Sequence, residues 1–318
     1  MSDSGTASPY HEGECEIQTR VGSRERAEAA GRVSIRDFMP DQHRTFFTQL
    51  PTFFVGSSDA QQRPWASVLV GAPGFLHSPD PKRLDVRATP LAGDALERTL
   101  HGGTTVGGLG LEFHTRRRNR VNGKVELMAD GFAIHVDQSF GNCPQYIQAR
   151  QFRLHEPPAS LQPPVGITAL EGAARAIVER ADTFFIASQH LGAGSDRRNG
   201  VDVSHRGGRP GFVRVDGAHT LTWPDYRGNF MFNTLGNVAA DPRCGLLFVD
   251  FDGGDVVQLT GRAEILWDWD RDDPHWRDAQ RLVRFKTDEG VYLRDAVSLS
   301  WDFLSQAPQF GQGQNVAD

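Results

Sequence analysis

One motif is written twice. Ser67 to Leu76 reads SVLVGAPGFL and Ser204 to Val213 reads SHRGGRPGFV, so Ser-x-x-x-Gly-x-Pro-Gly-Phe returns 137 positions later. Its neighbours keep step with it. TFFVGSS at Thr52 returns as TFFIASQ at Thr183, 131 positions on, and NGKVEL at Asn122 returns as TGRAEI at Thr260, 138 positions on. A drift of a few residues is what loop insertions between strands produce. A chain of 318 residues also exceeds the ~100–200 typical of one domain, so two similar units are expected.

Within each copy the grammar is that of strands. An apolar run (Phe53 to Val55; Phe184 to Ala187) crosses a polar loop into a second run that ends in Pro-Gly. Alternating stretches follow, such as FVRVDG, HTLTW, CGLLFVDF and DVVQLTGRAEIL. Period-two alternation with glycine-bearing turns indicates antiparallel β structure, and many short strands favour a barrel or sandwich. Helices are expected at the joints. Ile167, Leu170, Ala174, Ile177 and Val178 carry helical spacing, and Thr234 to Pro242 reads as a short helix closed by Asp-Pro. The stretch from Asp273 reads as a helix followed by a strand or irregular closing segment, with the last dozen residues frayed. The Pro-rich HEPPASLQPPVG reads as a linker. These signs divide the chain into a helical or extended arm (1–40), a first, divergent unit (41–160) and a second unit with a C-terminal extension (161–318), the boundary falling near Leu161.

Composition excludes several classes. Charged residues make up 23% and hydrophobic ones 38%, so the chain is not of the disordered class. A net charge of -6 gives no general attraction to nucleic acid, and no apolar run reaches the ~18 residues of a membrane span. Cys15, Cys143 and Cys244 are far apart, which suggests neither a disulfide framework nor a cysteine zinc site. With no apolar leader segment, a reducing, cytoplasmic setting is expected. The glycine clusters fit neither a dinucleotide fingerprint nor a P-loop, and the histidines show no metal-ligand spacing, so no metal is expected.

The second copy, from DVSHRGGRPGFVRVDGAHTLTWPDYRGNFMFNTLGNVAADPRCGLLFVDF to VVQLTGRAEIL, resembles the pyridoxamine 5′-phosphate oxidase-like family of FMN-binding split β-barrels. The resemblance is specific over about Asp182 to Leu266 and only in outline over Thr52 to Leu127. It implies a mainly β protein with a few helices (α+β), built as two tandem split β-barrels of the FMN-binding type. Members of this family usually work as homodimers in which two barrels share each flavin groove. Two fused barrels would therefore make an intramolecular pseudo-dimer, with a further homodimer as an extension of that reading. The implied function is an FMN-dependent oxidoreductase, one that reduces a small-molecule substrate with electrons from NAD(P)H or a ferredoxin. A non-catalytic flavin- or haem-binding module is the alternative. The chain ends QFGQGQNVAD where the true oxidases carry an Arg-Leu-x-Pro-like segment, so oxidation of pyridoxamine phosphate itself is not expected.

The phosphate of FMN is a dianion and calls for arginines, hydroxyls and amides. The family places these on the strand after the first hairpin and at the turn before the short helix. Here that implies Ser204, His205 and Arg206, then Asn233, Thr234 and Asn237. The stretch TWPDYRGN offers Trp223, Pro224, Asp225 and Asn229 to the flavin ring, and Gln258 is a polar residue on an apolar strand. Trp223 reads equally as core, and Gln258 as an outward-facing strand position. In the first copy the hairpin EFHTRRRNRVNG clusters like charges, so Arg116, Arg117 and Arg118 face either solvent or an anion. The loop after the first unit brings Phe140, Asn142, Gln145 and Tyr146, suited to lie over a flavin, whereas Cys143 reads as structural.

Overall fold

The computed structural model describes residues 7–156, 162–192, 194 and 196–311. Three helices open it: α1 (Glu12–Arg20), α2 (Arg24–Ser34) and α3 (Asp41–Thr48). The first unit then lays down β1 (Thr52–Ser58), β2 (Pro64–Val70), β3 (Leu76–Asp80), β4 (Arg83–Val86), the one-turn α4 (Leu96–Thr99), β5 (Thr105–Glu112), β6 (Arg117–Met128) and β7 (Gly131–Asn142). After β8 (Ala149–Leu154), β9 (Val165–Ile167) and α5 (Gly172–Arg180), the second unit repeats the plan. It consists of β10 (Thr183–His190), β11 (Gly200–Gly207), β12 (Arg214–Gly217), β13 (Thr220–Asp225), α6 (Asn233–Ala240), β14 (Arg243–Val249), β15 (Val256–Leu266) and β16 (Arg281–Leu293). Strand β17 (Leu299–Ser305) returns to pair with β8, and α7 (Pro308–Gly311) follows.

The two main sheets have one topology. Their orders, β2-β1-β5-β6-β7-β4-β3 and β11-β10-β14-β15-β16-β13-β12, correspond strand for strand, and the two end strands of each stay unpaired with one another. The protein is thus mainly β with a few helices, two tandem split barrels in one chain. Even their irregularities coincide. The β6–β7 ladder slips at Asn122/Gly123 and the β15–β16 ladder at Thr260/Gly261, where a Cβ on either glycine would collide with a carbonyl of the facing strand. The repeated Gly-x-Pro-Gly-Phe is a turn. Phe75 and Phe212 each donate their amide to the residue three before, and Gly74 and Gly211 adopt φ of +100° and +82°.

Each unit has its own core, and a further core joins them. Phe54, Ala66, Val68 and Leu109 of the first unit pack with Phe185, Ala187, Val203 and Leu247 of the second. Phe54 and Phe185, which occupy matching positions, stack on each other with ring centroids 3.5 Å apart. The arrangement is reciprocal, as in an isologous interface. Gly107 lies against Val201 and Asp202, while its match Gly245 lies against Pro64 and Trp65, the matches of those two residues.

The C-terminal part departs from the sequence expectation. Only a 3₁₀ turn (Pro274–Trp276) forms after Asp273, and Arg281–Leu293 is a strand held on both sides by β13 and β15. Val283 and Phe285 are buried in the second core, so ladder and burial override the helix propensity of DAQRLVRFK. Leu161 and most of the C-terminal dozen lie outside the described residues. No helix among the described residues is long and apolar enough to cross a membrane.

Candidate functional site

A groove opens where the first unit meets β11 and α6. The second unit supplies Ser204, His205 and Arg206 from β11, Pro224 and Asp225 from the end of β13, Asn229 from the following loop, and Asn233 and Thr234 from the start of α6. The first unit supplies Arg118 and Arg120 from β6, Asn142 from the end of β7, and Cys143, Gln145 and Tyr146 from the loop after it. Phe212, Tyr226, Phe230 and Phe232 line the apolar side. Tyr146, Phe230 and Phe232 all hold left-handed φ of 61–65°. Backbone strain of this kind concentrates at binding sites.

The groove is rich in unbalanced positive charge. Arg118 has no carboxylate within ion-pair distance among the described residues, and its guanidinium faces His205 Nδ1 at 3.3 Å. Burial, with Arg206 and Arg120 nearby, pushes its pKa from 12.5 down to about 9. Burial lowers Arg206 as well, against the pull of Asp225. His205 is held well below 6.5 by burial and by Arg118 and Arg206, so it is neutral. Asp225 is raised by burial and restrained by Arg206 and Arg281, the latter 3.2 Å away. Arg120 is bound deeply. It donates to Val203 O (3.0 Å), to Ser204 Oγ and to Asn233 Oδ1 (3.2 Å), and pairs with Asp202 at 3.2 Å.

Several buried polar atoms at the groove have no partner among the described residues. Arg118 Nε, Arg120 Nε, Asn142 Oδ1, Gln145 Oε1, His205 Nε2 and Thr234 Oγ1 are all buried at this groove and unsatisfied. Each such group costs about 1–3 kcal/mol unless something fills it.

Several residues expected at the site lie elsewhere, among them Phe140, which is buried in a cluster with Tyr10 and Ile35. Trp223 is in the second core, edge-on to Phe184, because alternation along β13 turns it away from the face that carries Pro224. Asn237, a turn into α6, donates to Ser188 Oγ and faces His11 Nε2. Gln258 crosses into the first unit, donating to Ala66 O and Ser67 Oγ. Arg116 turns outward and fastens the C-terminal segment through Ile147 O, Ser305 Oγ and Gln306 O. Arg117 lies at the surface over Phe46. Arg120, Phe230 and Phe232 were not expected from the sequence. The repeat register marks Arg120 all the same, since it stands 138 positions before Gln258. The fold also brings His11, Glu12 and His190 together with ligand atoms within 4.8 Å. Both His11 nitrogens are engaged, however, by Gly13 N–H and Asn237 Oδ1.

Strand order defines two split barrels, with a groove shared between them. Residues 170–296 match the family model of pyridoxamine 5′-phosphate oxidase. No curated protein sequence matches the chain. Among solved structures it is similar to HupZ of Group A Streptococcus (10% identity, 39% of this chain and 93% of that one, TM-score 0.30). It is also similar to a Clostridium acetobutylicum protein of the pyridoxinephosphate oxidase family related to general stress protein 26 (15%, 41% and 92%, TM-score 0.29). A third is General Stress Protein 26 of Bacillus anthracis (14%, 41% and 95%, TM-score 0.26).

Proposed function

We propose that the chain binds FMN in this groove and works as an FMN-dependent oxidoreductase on a small-molecule acceptor, with NAD(P)H or a ferredoxin as electron source. The observation that carries the reading is the convergence of unpartnered buried polar atoms on one aromatic-walled groove with surplus guanidinium charge. The residues fit the cofactor. Arg118, Arg120, Arg206, Ser204 and Thr234 offer donors to a phosphate dianion, Asn142 and Gln145 offer amides to a pyrimidine edge, and Phe212, Phe230 and Pro224 offer apolar surface. Bound FMN supplies hydride or one-electron transfer at its ring, and the protein supplies position and field.

The side chains around the ring have definable tasks. Asn142 and Gln145 orient a ligand edge through their free amide oxygens. Tyr146 stacks on Tyr226 at 5.1 Å and donates its hydroxyl to Arg227 O, which fixes its ring at the groove wall. Arg118 donates to His205 Nδ1, so the imidazole proton sits on Nε2 and points into the groove as a donor. That tautomer has no lone pair free for a haem iron and favours flavin over the haem-binding alternative.

Absorbance of the purified protein tests the reading. Flavin bands near ~375 and ~450 nm with release of FMN on denaturation are expected, followed by bleaching under anaerobic NADH or NADPH. A colourless protein that takes up neither added FMN nor riboflavin overturns it, and a Soret band in their place assigns the groove to haem.

A further inference from the structure

The reciprocal packing of the two units creates a second junction that matches the groove position for position. Matching residues are 137 apart on β2 and β11, and 138 apart on β6 and β15 and on α4 and α6. Arg120 donates to Val203 O and Ser204 Oγ, and its match Gln258 donates to Ala66 O and Ser67 Oγ, the matches of those two acceptors. Around this shared frame the chemistry differs. His205 and Arg206 are answered by Val68 and Leu69, Arg118 by Val256 and Thr234 by Leu96, all four buried. Where the groove has Phe232, this junction has Asp94, whose carboxylate accepts from Ser67 Oγ (2.5 Å) and from Leu96 N–H (2.7 Å).

We propose that Asp94 closes this second junction as a built-in anion, so that the chain holds one flavin rather than two, and that the partners of Asp94 mark where the phosphate sits in the open groove. This rests on the flavin reading above. Carried across by the register, Ser67 Oγ, Leu96 N–H and Gln258 become Ser204 Oγ, Thr234 N–H and Arg120. Helix α6 opens there with Phe232 at its N-cap and no side chain capping it, beside the unsatisfied Thr234 Oγ1 and Arg120 Nε. Free N–H groups at a helix start, a hydroxyl and a guanidinium make a seat for a phosphate dianion. At the other junction a carboxylate already accepts from the equivalent hydroxyl and N–H, and among the described residues no arginine pairs with it.

Calorimetric titration of flavin-free protein with FMN and with riboflavin tests this. One FMN per chain is expected, and two per chain overturns the closed junction. Absence of binding by either ligand counts against the flavin reading instead. Arg120→Gln, which copies the closed junction, should weaken FMN roughly ten- to a hundredfold and riboflavin less than about threefold. Gln258→Ala should leave FMN affinity unchanged. Equal losses for FMN and riboflavin in Arg120→Gln overturn the phosphate assignment, and an FMN loss in Gln258→Ala as large as that of Arg120→Gln overturns the asymmetry. The stoichiometry of the unaltered chain decides the first point even where a variant folds poorly.

Discussion

Arg118→Met should move stability and ligand affinity in opposite directions. The change keeps most of the side-chain length and removes the charge. In the flavin-free protein that charge is partly buried, lacks a carboxylate partner and lies near Arg206 and Arg120, which is why its pKa falls from 12.5 to about 9. At ~1.36 kcal/mol per pKa unit the displacement corresponds to at most about 5 kcal/mol of strain. The side chain is only half-buried at the groove wall, so solvent screening reduces the usable figure to about 2 kcal/mol. The variant should therefore unfold at higher denaturant when flavin-free, by about 2 kcal/mol, and bind FMN about ten- to a hundredfold more weakly because a charge-assisted donor is gone. Chemical denaturation of the flavin-free form and FMN titration of the same preparation read both numbers. A flavin-free variant less stable than the parent, with FMN affinity intact, would refute the idea that Arg118 is held in strain for an anion.

Arg206→Ala should weaken FMN more than riboflavin. Arg116→Ala should leave both affinities unchanged while exposing the chain after Ser305 to proteolysis, since its partners are Ile147, Ser305 and Gln306. Burial raises Asp94 from 3.8 to about 6, so its contribution is fully present below about pH 4 and is lost as pH rises through 6. Asp94→Asn should consequently gain about 2–3 kcal/mol on the parent between pH 4 and pH 8 in denaturant melts; a difference independent of pH would contradict it. Gly261→Ala places a methyl group against Lys286 O at the bulge and should cost more than about 2 kcal/mol in the same melts, whereas Gly166→Ala has open space and should cost less than about 1.

The architecture was legible because duplication writes it twice. Turn glycines, bulge glycines and aromatic strand starts recur in register, which marks two units of one plan, while the strand order is read from the ladders. The stretch after Asp273 was not legible, because an amphipathic strand with charged outward positions and a helix share much of one composition, and β13 and β15 on either side settle the matter. The site was half legible. Ser204, His205 and Arg206 sit on a strand whose neighbours allow a ligand to approach, and they do line the groove. Trp223 beside Pro224 and Arg117 beside Arg118 show the limit: adjacent letters on an extended chain face opposite ways, and only the register of the neighbouring strand tells which faces in. Arg120 was within reach, because the match of Asn122 to Thr260 fixes its correspondence to Gln258.

The stacked pair Phe54–Phe185 has a consequence for synthesis. The core around it draws most of its side chains from residues that follow position 180, so the first unit leaves the ribosome with Phe54, Val68 and Leu109 facing water. At ~5–20 residues per second, the 131 positions between the two rings take on the order of ten seconds to be made. Throughout that interval an identical surface on a neighbouring nascent chain competes for the same contact, and the short connection between the units favours the half that arrives on its own chain.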